Sequence, residues 1–296
     1  MKRSRDDIIF ETINTTLVTI FFILVLYPLV FVLSASISDP TLVSQGKVVL
    51  LPKGINFDGY RRVLEYPDIW LGYRNTIFYA IIGTILSLML TLTAAYPLSR
   101  KDFIGKNIFV IFFTITMFFS GGLIPTYMVI KSLGIRNTIW AQIIPGAVSF
   151  MNIVVVRTFY QTSIPDSLQE AAAIDGCSIF RLFLTIILPL AKPIIAVMGL
   201  FYGVAQWNSY FKALIYISDR KLFPLQLILR EILIINQIDM NMLMTEGELE
   251  VIHKRVEIAT LLKYAVIVVS TLPVIAAYPF LQKYFVKGIM VGAIKG

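Results

Sequence analysis

The residues of this chain whose types and spacing could do work are Glu170-Ala171-Ala172-Ala173-Ile174-Asp175-Gly176, followed after nine residues by Ile186-Ile187-Leu188-Pro189. That work is mechanical rather than bond-making. Pro165 and Asp166 open a helix, proline fitting its first turn and the acid lying near the positive end of its dipole. Ala171, Ala172 and Ala173 continue it with high propensity and small side chains, so another protein can approach closely. Glu170 offers that protein a charge-assisted contact. Asp175-Gly176 ends the helix, because glycine accepts the left-handed conformation of a helix terminus. A second helical segment is expected over Ser178 to Leu188, apolar apart from Arg181 and Thr185. Pro189 and Pro193 then mark the entry to the next apolar run.

Catalytic chemistry finds little purchase. There is no Gly-x-x-x-x-Gly-Lys-Ser/Thr sequence to cradle phosphates, so this chain has no such ATP-binding motif of its own. His253 is the only histidine, which excludes histidine-pair metal motifs, and Cys177 is the only cysteine, which excludes an internal disulfide. No nucleophile with a base partner stands out. An intramembrane enzyme, with Asp175-Gly176 as its one hook, would reveal itself by turnover of labelled lipids or peptides. A non-transporting membrane scaffold would copurify with partners without any flux.

The elements that must hold the Glu170 segment are membrane spans. Of the 296 residues 57% are hydrophobic, and the mean hydropathy of +0.78 is more than a soluble domain can cover with polar surface. A bilayer core of about 30 Å needs about 20 mostly apolar helical residues. Six stretches qualify: Asn14 to Ile37, Asn75 to Leu98, Asn107 to Ile130, Thr138 to Phe159, Pro193 to Ile217, and Ala259 to Gln282. We expect an all-α integral membrane protein, residues 1–296 forming one transmembrane domain, with a loop of about 160–192 between spans four and five. The run from Leu17 to Leu33 is too long for a signal-peptide core and is taken as a retained first span.

Lys2, Arg3 and Arg5 crowd the amino terminus, and Arg100, Lys101 and Lys106 fill the short second connection. Both ends therefore belong on the cytoplasmic side, together with the Glu170 loop and the tail carrying Lys283, Lys287 and Lys295. The net charge of +8 is spread over loops, which fits membrane headgroups and orientation and not nucleic acid. Two long outer connections, Ser38 to Arg74 and Ser218 to Ile258, contain short amphipathic helix patterns at Phe57 to Leu64 and Pro224 to Leu233.

A substrate path, if present, has candidates in two spans. Gly121 and Gly122, with Pro125, weaken the third span and would permit a bend, the competing reading being close helix packing. Trp207, Asn208 and Tyr210 lie in the outer half of the fifth span, where a ring can stack on the apolar face of a ligand and an amide can bond its hydroxyls. An interfacial aromatic belt is the alternative. Lys212 lies farther out, where snorkelling to headgroups competes with attraction of an acidic substrate. Gly199 and Gly203 form a small-residue stripe suited to helix packing.

The Glu170 segment resembles the motif of permease subunits of binding-protein-dependent ABC importers: Glu-Ala-Ala, three residues, Gly, nine residues, then Ile, any residue, Leu-Pro. Glu170, Ala171, Ala172, Gly176, Ile186, Leu188 and Pro189 fill every position, and Asp175 precedes the glycine. Phe119 to Tyr127, Asn137 to Ala141, Trp207-Asn208-Ser209 and Gly288 to Gly296 resemble the carbohydrate-importing, maltose-type branch. Ser120 to Pro125 and Pro224-Leu225-Gln226 resemble its permeases for complex oligosaccharides, including uronic-acid-containing ones such as alginate or aldouronate fragments. A neutral, maltose-like sugar is the alternative. The resemblance implies a type I importer permease fold in the cell membrane of a prokaryote, both termini cytoplasmic, with Ser167 to Gly176 docked on a cytoplasmic ATPase. It further implies a second permease subunit, two ATPase subunits holding ATP and Mg, an extracytoplasmic solute-binding protein, and no cofactor in this chain.

Overall fold

The computed structural model describes residues 4–243, 257–276 and 279, all helix and connections without a strand among them. The chain's packing divides it into two compact units, one comprising the chain up to Ile69 with Leu229–Pro273, the other built on Trp70–Ile228. The carboxy-terminal tail and His253 lie outside the described residues.

In the first unit, α1 (Arg5–Ser36) begins at a reciprocal cap: the Ser4 hydroxyl accepts from the Asp6 amide, and Asp7 accepts from the Ser4 amide at 3.1 Å. Its apolar side chains are exposed along the length, Phe10 at 73% and Phe21 at 69%, and only Ser34, Ala35 and Ser36 at its end are buried. An apolar helix this uncovered belongs in lipid or against another subunit. The connection after it folds into α2 (Pro40–Ser44) and α3 (Asp58–Glu65), the latter where amphipathic periodicity predicts a helix. Gly59 of α3 lies against the last described helix, Glu257–Ala276, which becomes α15 in chain order. A Cβ at Gly59 would come 2.9 Å from the Leu261 carbonyl oxygen.

The second unit is built along α4 (Pro67–Ser99). Around it lie α5 (Lys106–Phe118), α6 (Leu123–Ser132), α7 (Ile139–Ile143), α8 (Phe150–Ser163) and α9 (Asp166–Ile174). Next come α10 (Ile179–Leu182), a π-helical turn at Phe183–Ile187, α11 (Leu188–Leu190), α12 (Lys192–Trp207), α13 (Phe211–Tyr216) and the start of α14 (Leu225–Leu243), whose residues from Leu229 on belong to the first unit. Gly72 lets α4 approach the start of α14, since a Cβ there would lie 2.9 Å from Leu225 Cα.

Three described helices, α1, α4 and α15, are long and apolar enough to cross a membrane. The other expected spans are interrupted. The third bends by 116° between α5 and α6, at the Gly121-Gly122 break. The fourth is not one helix from Thr138 to Phe159 but α7 and α8, separated where Pro145 and Gly146, at φ 77°, turn the chain. The fifth ends α12 at Trp207 and resumes as α13 at Phe211.

Candidate functional site

The segment carrying Glu170 is a packed structure, not a loose loop. Pro165 lies one place earlier than the first-turn position expected of it, as the extended N-cap residue of α9. At the other end Gly176 has φ 66°. Its amide donates to Ala173 O at 3.1 Å, and the Cys177 amide donates to Ala172 O at 2.9 Å. These two bonds form a Schellman terminus, which satisfies carbonyls the helix would otherwise leave open. No heavy atom lies within 4 Å of where a Gly176 Cβ would sit, so backbone conformation, not space, demands glycine here.

Ala172 is buried and packs in the same core as the half-buried Cys177, while Glu170, Ala171, Ala173 and Ile174 face outward. The exposed face at this end of α9 thus consists of a carboxylate, two methyl groups and an Ile174 that is 87% exposed. Ser178 caps the next helix by accepting from the Arg181 amide at 3.3 Å. That helix, expected to be uniform, widens into the π turn, where the Leu188 amide donates to Phe183 O, five residues back. Pro189 supplies the reason: it has no amide for Thr185 O, and its ring clashes with that carbonyl in an α-helix, so the chain loosens just before it. The segment Ile179–Leu190 then meets α12 at 80°, pivoting at fully buried Ala191. Of the motif's second half, Ile186 and Leu188 are half-buried and Pro189 exposed, whereas Ile187 is completely buried.

One continuous core joins this segment to the spans: Leu92, Ala95 and Tyr96 of α4, Ile153 and Tyr160 of α8, Ala172 of α9, Leu182 and Ile187, then Ile194, Met198 and Tyr202 of α12. The Tyr96 ring lies 5.1 Å from that of Phe183 and 6.1 Å, edge-on, from that of Tyr160. Thr91 and Tyr202 share a hydrogen bond of 2.6 Å between their hydroxyls.

The connection after α4, read in the sequence only as an orientation signal, also reaches this site. Lys101 Nζ donates to Asp166 Oδ2 at 2.6 Å, and Gln161 Nε2 donates to Ser99 O at 3.2 Å. Arg100 Nε donates to Asp102 Oδ1 at 2.8 Å, and its guanidinium lies over the Tyr96 ring. Hydrogen bonding to Asp166 raises the Lys101 pKa, and Arg100 holds Asp102 below the usual carboxylate range. Lys101, Asp166, Gln169 and Glu170 border a shallow charged pocket of about 310 Å³. Three consecutive charges in a short loop were the available clue, but only folding places them beside α9.

The substrate-path candidates fall at two separate helix breaks. Gly121 and Gly122 are exposed, with no neighbour closer than 3.5 Å to an added Cβ, so they serve the bend and not a helix contact. At the α12–α13 break, Trp207 is only 7% exposed and its ring lies 6.3 Å from that of Tyr73. Asn208 and Tyr210 are exposed. Lys212 does not reach outward as a snorkelling side chain would: its amine donates to Pro145 O at 3.2 Å and Gln206 Oε1 at 3.3 Å. Gly199 and Gly203 face Leu88 and Thr84 of α4 at 3.7 Å, the packing their spacing predicts.

Residues 88–291 match the family described as binding-protein-dependent transport system inner membrane component. The chain is 39% identical to Protein LplC of Bacillus subtilis over 91% of its own length and 89% of the relative's. It is 37% identical to the polygalacturonan/rhamnogalacturonan transport system permease protein YtcP of the same organism, over 97% and 99% of the two chains. A chain in the crystal structure of a bacterial ABC transporter involved in the import of the acidic polysaccharide alginate superposes with a TM-score of 0.81 at 34% identity, covering 96% of this chain and 99% of that one. With the family matched across most of the chain, and with α9 on the core it shares with α4, α8 and α12, the chain belongs to the binding-protein-dependent transport system inner membrane components: it is an ABC importer permease, served by separate ATPase subunits and a binding protein.

Proposed function

We propose that the cargo of this sugar importer permease is an oligosaccharide containing uronic acids, delivered by an extracytoplasmic binding protein. The support is the likeness to a polygalacturonan/rhamnogalacturonan permease and to a transporter of acidic alginate. The assembly in this reading has a second, different permease and two ATPase subunits that hold ATP and Mg. Both termini and the Glu170 segment are cytoplasmic.

The observation that carries the mechanism is the single core running from Ala172 through Ile187 to Met198 and Tyr96. A helix packed this way cannot shift alone, because protein interiors are close-packed and transmit displacement. When ATP closes the ATPase pair, α9 moves with it, α4 and α12 tilt as one body, and the cavity opens outward. Hydrolysis reverses the motion. Sugar passes the breaks at Gly121-Gly122 and Asn208-Tyr210, where Asn208 and Tyr210 offer the contacts and Trp207 supports them from beneath.

The test is sugar-stimulated ATPase activity and uptake in the reconstituted complex, across acidic and neutral oligosaccharides of equal length. Stimulation by the acidic members is expected. Stimulation by maltose-like neutral sugars alone would replace the acidic cargo with the neutral one.

A further inference from the structure

The break between α12 and α13 holds a charge that the coupling machinery does not use. Lys212 stands in the first turn of α13, half-buried, in a span read as apolar. An ammonium has three N–H donors, and Pro145 O and Gln206 Oε1 take two of them. Both acceptors are neutral, and none of the ion pairs found among the described residues includes Lys212. A cation drawn into a span without a counter-charge is costly, and such residues characteristically face a substrate path.

The surroundings hold the amine in place. Gln206 is 5% exposed and is pressed upon by Gly83, where a Cβ would fall 2.7 Å from Gln206 Nε2. Gln142, fully buried, donates to Ser209 O at 2.9 Å across the break. Its Oε1 has no hydrogen-bond partner among the described residues. The break therefore gathers a cation with an unused donor, which a carboxylate can take, and a buried amide oxygen that only a donor such as a sugar hydroxyl can satisfy, with exposed Asn208 and Tyr210 in the same short connection.

We infer that Lys212 is a carboxylate subsite: its remaining N–H receives a uronate of the passing oligosaccharide, and this is where the permease distinguishes acidic from neutral sugar. The inference rests on the acidic-cargo reading above. A lipid phosphate has the same anionic chemistry, and a purely structural rival is that the amine only pins the break to Pro145.

The experiment compares Lys212→Gln and Lys212→Arg with the parental complex, in vesicles of neutral phosphatidylcholine and in vesicles containing anionic phosphatidylglycerol. Uptake is measured with an oligogalacturonate or oligomannuronate trimer and with its methyl ester. Lys212→Gln keeps a donor for Pro145 but carries no charge. Losing one charge-assisted bond should raise the KM for the acid about tenfold with little change in kcat, in both lipids. The ester should be unaffected, and Lys212→Arg should stay close to parental. If the parental complex takes only the acid, loss in Lys212→Gln with near-parental uptake in Lys212→Arg supports the subsite.

Equal loss for acid and ester, a drop in assembled complex without a KM effect, or an unchanged KM for the acid would each overturn it. So would an effect confined to the anionic vesicles, which would assign the amine to lipid. If the parental complex takes up neither acid, the cargo reading itself fails, and the inference falls with it.

Discussion

Gly176 shows how one residue can fix the end of a helix such as α9. Its φ of 66° costs a residue with a Cβ about 1–2 kcal/mol, yet the space beside it is open. Gly176→Val should therefore lower transport and ATPase stimulation at normal membrane levels, while Gly176→Asn, which tolerates the left-handed conformation, should stay near parental. Equal activity of the two variants would show that the Schellman terminus is dispensable. Glu170→Ala should lower stimulation without altering the permease, its carboxylate being exposed. Trp207 and Asn208 should separate in the same way. Trp207→Ala empties a buried site against Tyr73 and should cost about 3–5 kcal/mol, read as a lower melting temperature of the complex. Asn208→Ala should leave melting unchanged and affect sugar uptake alone. The stop at Asp175-Gly176 was legible because it is a local backbone property. The burial of Trp207 was not, because its partner Tyr73 comes from a distant helix and nothing local to Trp207 announces it.

Among elements, the second connection and α9 should act as a unit. Lys101 and Asp166 are both exposed, so their pairing adds little to the stability of the permease alone. Its consequence should appear under load, when an ATPase pushes on α9. Lys101→Glu should reduce ATPase stimulation by sugar, and the exchange Lys101→Glu with Asp166→Lys should restore it. Failure of the exchange would show that each charge contacts the ATPase separately. Hydropathy marked the apolar stretches, three of which are continuous spanning helices, but not the breaks in the others, since apolar content is unchanged where a helix bends. Gly121-Gly122 gave the third break away, and Pro145-Gly146 could have given the fourth. Asn208 to Tyr210 contains neither glycine nor proline, and only Gln142 reaching Ser209 reveals the fifth. Two stretches that resemble carbohydrate permeases prove to be stitching. Asn137, at φ 59°, accepts from the Ser218 and Asp219 amides at 2.8 Å, and the Leu225 amide donates to Thr76 at 2.8 Å.

For the whole molecule, orientation can be checked by labelling. With Cys177 replaced by serine, a membrane-impermeant thiol reagent should label Lys53→Cys in intact cells and Lys101→Cys only after permeabilisation. The opposite pattern would invert the topology drawn from the density of basic residues. The uncovered apolar length of α1 belongs to this scale too, since among the described residues only its carboxy-terminal end is packed.

The π turn at Phe183–Ile187 makes the length of the motif a matter of phase. Each residue added to a helix rotates the remainder of that helix by about 100°, and the wide turn is in effect one residue more than an α-helix would hold. Deleting Thr185 would turn the end of this helix by that angle and, through the 80° bend at Ala191, swing α12 away from α4, carrying Ile194, Met198 and Tyr202 out of the core. Side chains in this stretch can be exchanged at modest cost, while the count of residues from Gly176 to Ile186 cannot. In the coupling proposed above, the interval of nine is thus a gear setting: it indexes the helix that receives the push to the face of the helix that must turn.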